Sequence, residues 1–163
     1  RGSFQRLFSE NEFKKILKSK KIVQVSYSKS KGKNLFRGLH YQKPPFSEVK
    51  IIRCLKGKIL DFALDLRANS KSFLHYHSEL LSERNNKSIF IPEGFAHGFQ
   101  LLSNTCEMIY FTTANYNKKH ERGINIYDPL INIHLPHKIS KMSERDKKFK
   151  FIYKTFKGIK IEL

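Results

Sequence analysis

The stretch KILDFALDLR, residues 58–67, alternates apolar and polar side chains with a period of two. Leu60, Phe62, Leu64 and Leu66 fall on one face of an extended chain, Asp61 and Asp65 on the other. A helix would scatter those apolar groups around its circumference, so the segment reads as a strand with one buried face. The same reading extends along the chain: KIVQVSYS at 21–28, EVKIIRCLKG at 48–57, SIFIPEG at 88–94, FQLLS at 99–103 and CEMIYFTT at 106–113 are strand candidates, and RGINIYDP at 122–129 and INIHLP at 131–136 continue the series. Lys56-Gly57 is a turn signal and predicts a β-hairpin over 48–66. Only ENEFKKILKSK, 10–20, places Phe13, Ile16 and Leu17 at helical spacing with acids at its start. SERDKKFKF, 143–151, opens a short helix with Ser143 as its N-cap. Many short strands punctuated by Gly, Pro and Asn predict an all-β antiparallel sandwich or barrel with a few short helices.

A chain of 163 residues, 39% hydrophobic with 14 Phe and 7 Tyr, suffices for one domain with a real core, spanning 1–163. No apolar run approaches the length of a membrane helix, and no secretory pattern opens the chain, which begins at Arg1. Cys54 and Cys106 sit in strand-like apolar contexts and form no disulfide framework; a reduced, cytoplasmic setting is the expectation. The net charge of +18 raises the possibility of a basic module that binds nucleic acid or another polyanion. Its excess is mostly lysine spread along the whole chain, which reads better as a solvated surface, with no nucleic acid and no membrane as partner.

No GxGxxG, Walker loop, GxSxG or CxxC is present. His75 and His77 stand two apart, hence on one strand face, but nothing upstream supplies a third ligand; they read as solvent-facing imidazoles on an edge strand. PEGFAHGF is more specific. Pro92-x-Gly94-x-x-His97 is similar to the second half of the metal-binding pattern of cupins, small jelly-roll barrels. At the first half this chain has His40-x-Gln42 and then Lys50 ahead of Gly57. A lysine stands where the metal-binding versions keep a carboxylate, and an ammonium repels a cation and attracts an oxyanion. The expectation is a cupin-like pocket with no metal.

RGLHYQKPPFSEVKIIRCLKGKILDFALDLRANS, LSERNNKSIFIPEGFAHGFQLLS, CEMIYFTTANYNKKHERGINIYDP and MSERD together resemble the dTDP-4-dehydrorhamnose 3,5-epimerase family over nearly the whole chain, from RGSF at residue 1. The resemblance implies an antiparallel jelly-roll (cupin-like) barrel, cofactor-independent and working as a homodimer whose N-terminal segment packs on the partner. It implies a nucleotide-diphosphate 4-keto-6-deoxy sugar as substrate. The chemistry suits the residue types. A C-4 ketone acidifies the hydrogens on C-3 and C-5, and imidazole is the side chain whose ordinary basicity suits their removal near neutral pH. By resemblance His40 is the base, Asp146 orients it, Lys50 faces the ketone oxygen where enolate charge develops, and Tyr110 returns a proton from the opposite face. The resemblance also places Arg1, Gln24, Ser26, Arg37 and Lys50 around the nucleotide sugar, with His97, Tyr116, Glu121 and Arg145 lining the rest of the pocket. Arginines suit the diphosphate because the guanidinium fork matches phosphate oxygens.

The chain departs from the family pattern at Arg6, where the family has Glu, and at Ser26, where it has Asn. Ile126 and Leu135 stand where tryptophans are common. The first change alters the rim near the nucleotide, so the base carried stays open. Two further readings keep the same pocket, an epimerase acting at C-3 or C-5 only and a ketoisomerase of a modified deoxysugar pathway.

Overall fold

The structure, a computed structural model, describes residues 1–161. Among these residues the chain forms nine strands and two short helices. Helix α1 (Glu10–Leu17) comes first, then β1 (Gln24–Lys31), β2 (Phe36–Gln42), β3 (Lys50–Lys56) and β4 (Lys58–Asp65). They are followed by β5 (Tyr76–Ser82), β6 (Ser88–Ile91), β7 (Phe95–Leu101), β8 (Thr105–Thr112), β9 (Glu121–Gly123) and helix α2 (Glu144–Lys147). One antiparallel sheet has the order β1-β8-β3-β6 and the other β5-β4-β7-β2-β9. Apart from the neighbours β4 and β5, consecutive strands thus alternate between facing sheets, which is jelly-roll topology, as the sequence leads one to expect.

The expected hairpin over 48–66 does not form. β3 pairs with β6 and β8, while β4 pairs with β5 and β7 in the opposite sheet. The turn at Gly57 (φ 82) is real, but it carries the chain over the edge of the sandwich rather than back alongside β3. The expected solvent face of β4 is also absent. Phe62, Leu64 and Leu66 pack on one side, while Ile59, Ala63 and the carboxylate of Asp61 are buried on the other. Asp65 is buried too, held by Arg67, Ser70 and Ser72 at 2.6–3.0 Å.

Three apolar layers result. Between the sheets lie Ile52, Cys54, Ile59, Phe99, Leu101 and Met108. Outside the four-stranded sheet, Phe13 and Leu17 of α1 cover Ile51 and Phe111, so the helix ends where its apolar stripe is used up, at Lys18 with φ 57. Outside the five-stranded sheet, Ile124, Ile126, Ile131 and Met142 cover Phe36, Leu39 and Phe62. The strands expected at 122–129 and 131–136 reduce to Glu121–Gly123. Asn125 and Asp128 account for this: their side chains accept from Tyr127 N–H and Leu130 N–H, so the backbone turns instead of pairing. Ile124, Ile126 and Ile131 are buried all the same, and Ile133 partly so.

β2, unassigned as a strand in the sequence, runs between β7 and β9. Its pairing with β7 slips between Arg37↔Phe99 and His40↔His97, a bulge of one residue. An unbroken strand would send Arg37 and His40, three apart, to opposite faces; the bulge turns both into the space between the sheets. It fits because two glycines meet there. A Cβ on Gly38 (φ 114) would lie 2.6 Å from Gly98 Cα and from His97 O, and one on Gly98 would lie 2.7 Å from Arg37 O. Gly38→Ala is therefore expected to lower unfolding free energy by about 2–4 kcal/mol, from backbone strain plus overpacking. A chemical-denaturation midpoint matching the wild type would show that the two strands separate at no cost.

Candidate active site

Inward-facing side chains repeat every second residue along each strand, and most are apolar. At one end of the sandwich they change. Gln24, Ser26, Ser28 and Ser30 alternate along β1 with outward Val25, Tyr27 and Lys29. Met108 on β8 gives way to Tyr110, Ile52 on β3 to Lys50, and Phe99 on β7 to His97. These groups enclose a cavity of about 190 Å³ lined by Ser26, Arg37, His40, Lys50, His97 and Tyr110 among others. His40 and His97 belong to one sheet, Tyr110, Lys50 and Ser26 to the other. The two imidazole-bearing residues are direct register partners in their sheet, as Ser26 and Tyr110 are in theirs.

His40 Nε2 donates to Asp146 Oδ1 at 2.8 Å, which leaves the basic lone pair on Nδ1. Asp146 comes from α2, folded against β2 from 106 residues away in sequence. Its other oxygen accepts the Gly38 N–H at 3.1 Å, and its own N–H donates to Ser143 Oγ at 3.0 Å, the N-cap expected from the sequence. Burial alone would raise this carboxyl, but the bonds and charge of His40, with Gly38 and Ser143, hold it below the usual value. Phe149 packs edge-on against the His40 ring at 5.5 Å.

Burial pushes the Tyr110 phenol well up, aided by the negative charge of Asp61. It is a protonated hydroxyl at neutral pH, able to donate. Its only hydrogen-bond partner among the described residues is the Met108 sulfur at 3.6 Å, so the proton is weakly held in place. Lys50 pairs with Glu48 at 3.2 Å beneath the cavity. His97 is not a lone imidazole: its Nε2 lies 2.8 Å from Asp61 Oδ2, in a fully buried pair. Burial raises Asp61, countered by His97. Its second oxygen has no partner among the described residues. Sequence reasoning missed Asp61, because a carboxylate at alternate positions of a strand looks like a solvent face.

The remaining expected residues form a rim. Arg145 Nη1 donates to Glu121 Oε2 at 2.7 Å, the Tyr116 hydroxyl donates to the same oxygen at 2.9 Å, and Arg145 Nη2 stands 3.1 Å from His40 Nε2. Gln24 joins the rim to the cavity, donating to Ser26 Oγ and accepting the Tyr116 N–H. Arg37 donates to Ser28 and Ser30 at 3.2 Å each. Arg1 is exposed and lines none of this cavity within one chain. Arg6 lies away from it too, against Glu12.

His75 and His77 are both exposed as expected, but only His77 lies on the edge strand β5, His75 standing just before it. Among the described residues no three His, Cys, Asp or Glu side chains converge as a metal site. Cys54 and Cys106 are free and buried, and burial pushes their thiols up to about 12 and about 11. No helix among the described residues is long and apolar enough to cross a membrane.

Residues 1–154 match the family model described as dTDP-4-dehydrorhamnose 3,5-epimerase. A Shigella flexneri protein of that name is 40% identical over 147 residues, covering 90% of this chain and 81% of the relative. The crystal structure of dTDP-6-deoxy-D-glucose-3,5-epimerase from Legionella pneumophila, in complex with dTDP-4-keto-L-rhamnose, is 29% identical with a TM-score of 0.89, covering 98% of this chain and 86% of that one. A Bacillus anthracis dTDP-4-dehydrorhamnose 3,5-epimerase structure, with TDP and PPi bound, is 28% identical with a TM-score of 0.87 over 91% of this chain and 85% of that one.

The lowered Asp146 carboxyl makes a signed prediction. A depressed folded value gives stability that is present above the unfolded carboxyl value, about 3.9, and is lost as pH falls through the folded one. Asp146→Asn is expected to cost about 1–3 kcal/mol at pH 7. In urea titrations at pH 7 and in strong acid, the gap between wild type and variant narrows in acid. An equal gap at both would detach the carboxylate charge from the His40 contact.

Proposed function

The chain belongs to the dTDP-4-dehydrorhamnose 3,5-epimerase family and is an isomerase, and we propose that His40 and Tyr110 are the base and acid with which it inverts C-3 and C-5 of a nucleotide-linked 4-keto-6-deoxy sugar. One observation carries this reading: the two groups project from opposite sheets into one cavity. Face-to-face sheets stand about 10 Å apart, which admits one sugar ring between a base on one side and an acid on the other. Inversion needs that opposition.

His40 Nδ1 takes the proton from the carbon beside the ketone, and the imidazolium is stabilised by Asp146. The electron pair moves onto the ketone oxygen as an enolate, where the Lys50 ammonium offsets the charge. Tyr110 then protonates the same carbon from the other face, and solvent exchange resets both groups. No electron leaves the substrate, so the cycle balances without a cofactor. Arg37, Gln24, Ser26, Arg145, Tyr116, Glu121 and His97 hold the nucleotide sugar. The relatives seen with dTDP-4-keto-L-rhamnose and with TDP support that ligand class.

Turnover of dTDP-4-keto-6-deoxyglucose in deuterated water is expected to place deuterium at both C-3 and C-5. Exchange at neither carbon, with other nucleotide carriers also tried, ends the proposal; label at one carbon assigns a single-site epimerase, and a moved carbonyl a ketoisomerase. Tyr110→Phe keeps the exchange and loses most inversion at C-5, by about 10²-fold or more. Normal inversion in that variant removes Tyr110 from the acid role.

The same reading makes the working unit a cytoplasmic homodimer of single jelly-roll domains, with Arg1 reaching the partner's site. The edge strand β1 supports this: its outward side chains Val25 and Tyr27, and Val23 just before it, are each more than half exposed, and Phe4 is 93% exposed. Apolar groups on an unpaired edge invite a second copy. Val25→Lys is expected to shift the mass measured by light scattering from dimer to monomer; an unchanged dimer moves the interface elsewhere.

A further inference from the structure

The outer layer over the five-stranded sheet holds a cavity of about 440 Å³ that shares no lining residue with the catalytic one. Its floor is apolar: Tyr41 and Ile124 are buried, with Ile152 and Phe156 packed beside them. Phe151 and Tyr153 also line it, yet both are at least half exposed. The stretch that forms much of its wall is pinned in place. Asn125 Nδ2 donates to Phe149 O at 3.0 Å, and Ile152 N–H donates to the Asp128 carboxylate.

Four cations surround this floor, Lys43, Arg122, Lys148 and Lys150. None of them makes an ion pair among the described residues, although Lys147, next to Lys148, does so with Glu144. Arg122 donates to the backbone carbonyls of Lys119 and Glu121. The one acid lining the cavity, Glu121, is taken by Arg145 and Tyr116. From 147 to 161 the chain carries six lysines and no acid. Lysines scattered over a surface are a solvated face; here they ring an apolar recess with aromatic walls. A flat bilayer would meet the exposed side chains and leave the buried floor empty, so the recess suits a small discrete ligand. Its chemistry is a flat ring that packs on Phe and Tyr, bearing a negative charge that meets the ammonium groups.

One wall residue reaches the catalytic side. Phe149 lines this cavity and packs edge-on against the His40 ring at 5.5 Å, and its ring lies so close over Gly123 that a Cβ there would overlap it. We infer that the cavity is a second binding site, for a small aromatic anion, and that its occupant is felt at His40 through Phe149. An aromatic carboxylate and a nucleoside monophosphate share the required chemistry.

The test is equilibrium titration with 2-naphthoate and its neutral amide. Lys148→Gln/Lys150→Gln changes two exposed lysines of the site, and Lys56→Gln/Lys58→Gln removes equal charge at the turn around Gly57. The first variant is expected to bind naphthoate about tenfold more weakly, with the amide and the thermal midpoint unchanged and the second variant like wild type. Displacement of naphthoate by adenosine monophosphate assigns a phosphate-bearing ring, and no displacement a carboxylate-bearing one. Unchanged naphthoate affinity in the first variant overturns the site, as does an equal loss in the second. Coupling is read from the imidazole NMR signals of His40, which shift with naphthoate in the wild type and not in Lys148→Gln/Lys150→Gln at the same concentration. A shift in neither protein overturns the coupling; a shift in both puts naphthoate in the catalytic cavity and overturns it too. No turnover enters these measurements, so their failure is separate from failure of deuterium exchange.

Discussion

Two sheets packed face to face leave one shared interior, and every inward side chain must serve either as core or as site. Everything else in the molecule follows from how that interior is divided. Over most of its length it is dry, with Ile52, Cys54, Leu101 and Met108 at contact. Toward one end the same inward positions carry Lys50, Tyr110, His97 and Ser26. The polar end is affordable because its groups are mostly matched, His97 with Asp61 and Lys50 with Glu48. The apolar end fixes the sheets so that groups on opposite walls keep their spacing, which is what a reaction on two faces of one ring requires.

His40 depends on more than the sandwich. It enters the interior through the bulge in β2, made possible by Gly38 against Gly98, and it is oriented by a carboxylate from α2. The layer of Ile124, Ile126, Ile131 and Met142 over the outer sheet face brings α2 to that point. Apolar burial on one side of the sheet thus sets a hydrogen bond on the other.

Alternation in the sequence identified β3, β4, β6 and β8 well, because period two is a local property of an extended chain. It could not tell which sheet each strand joins: Lys56-Gly57 reads as a hairpin turn and is a crossing between sheets. Nor could it separate a buried carboxylate from a wet one, which hid Asp61. The isoleucines of 124–133 alternate like a strand, yet Asn125 and Asp128 bend the backbone. β2 was invisible for the opposite reason, since its bulge breaks the period. The candidate site residues came from resemblance to a family; the fold brings all but Arg1 to one cavity and its rim. The net charge of +18 acts over distances beyond contact, drawing anionic nucleotides toward the molecule.

The bond between His40 and Asp146 joins residues separated by 106 positions. During synthesis the histidine leaves the ribosome long before its carboxylate. A nascent chain that has completed both sheets still holds an imidazole without its carboxylate partner until the segment around α2 docks. Under the roles proposed for His40 and Asp146, proton abstraction is therefore a late reporter of folding, silent in any intermediate whose sandwich is complete but whose outer layer is not.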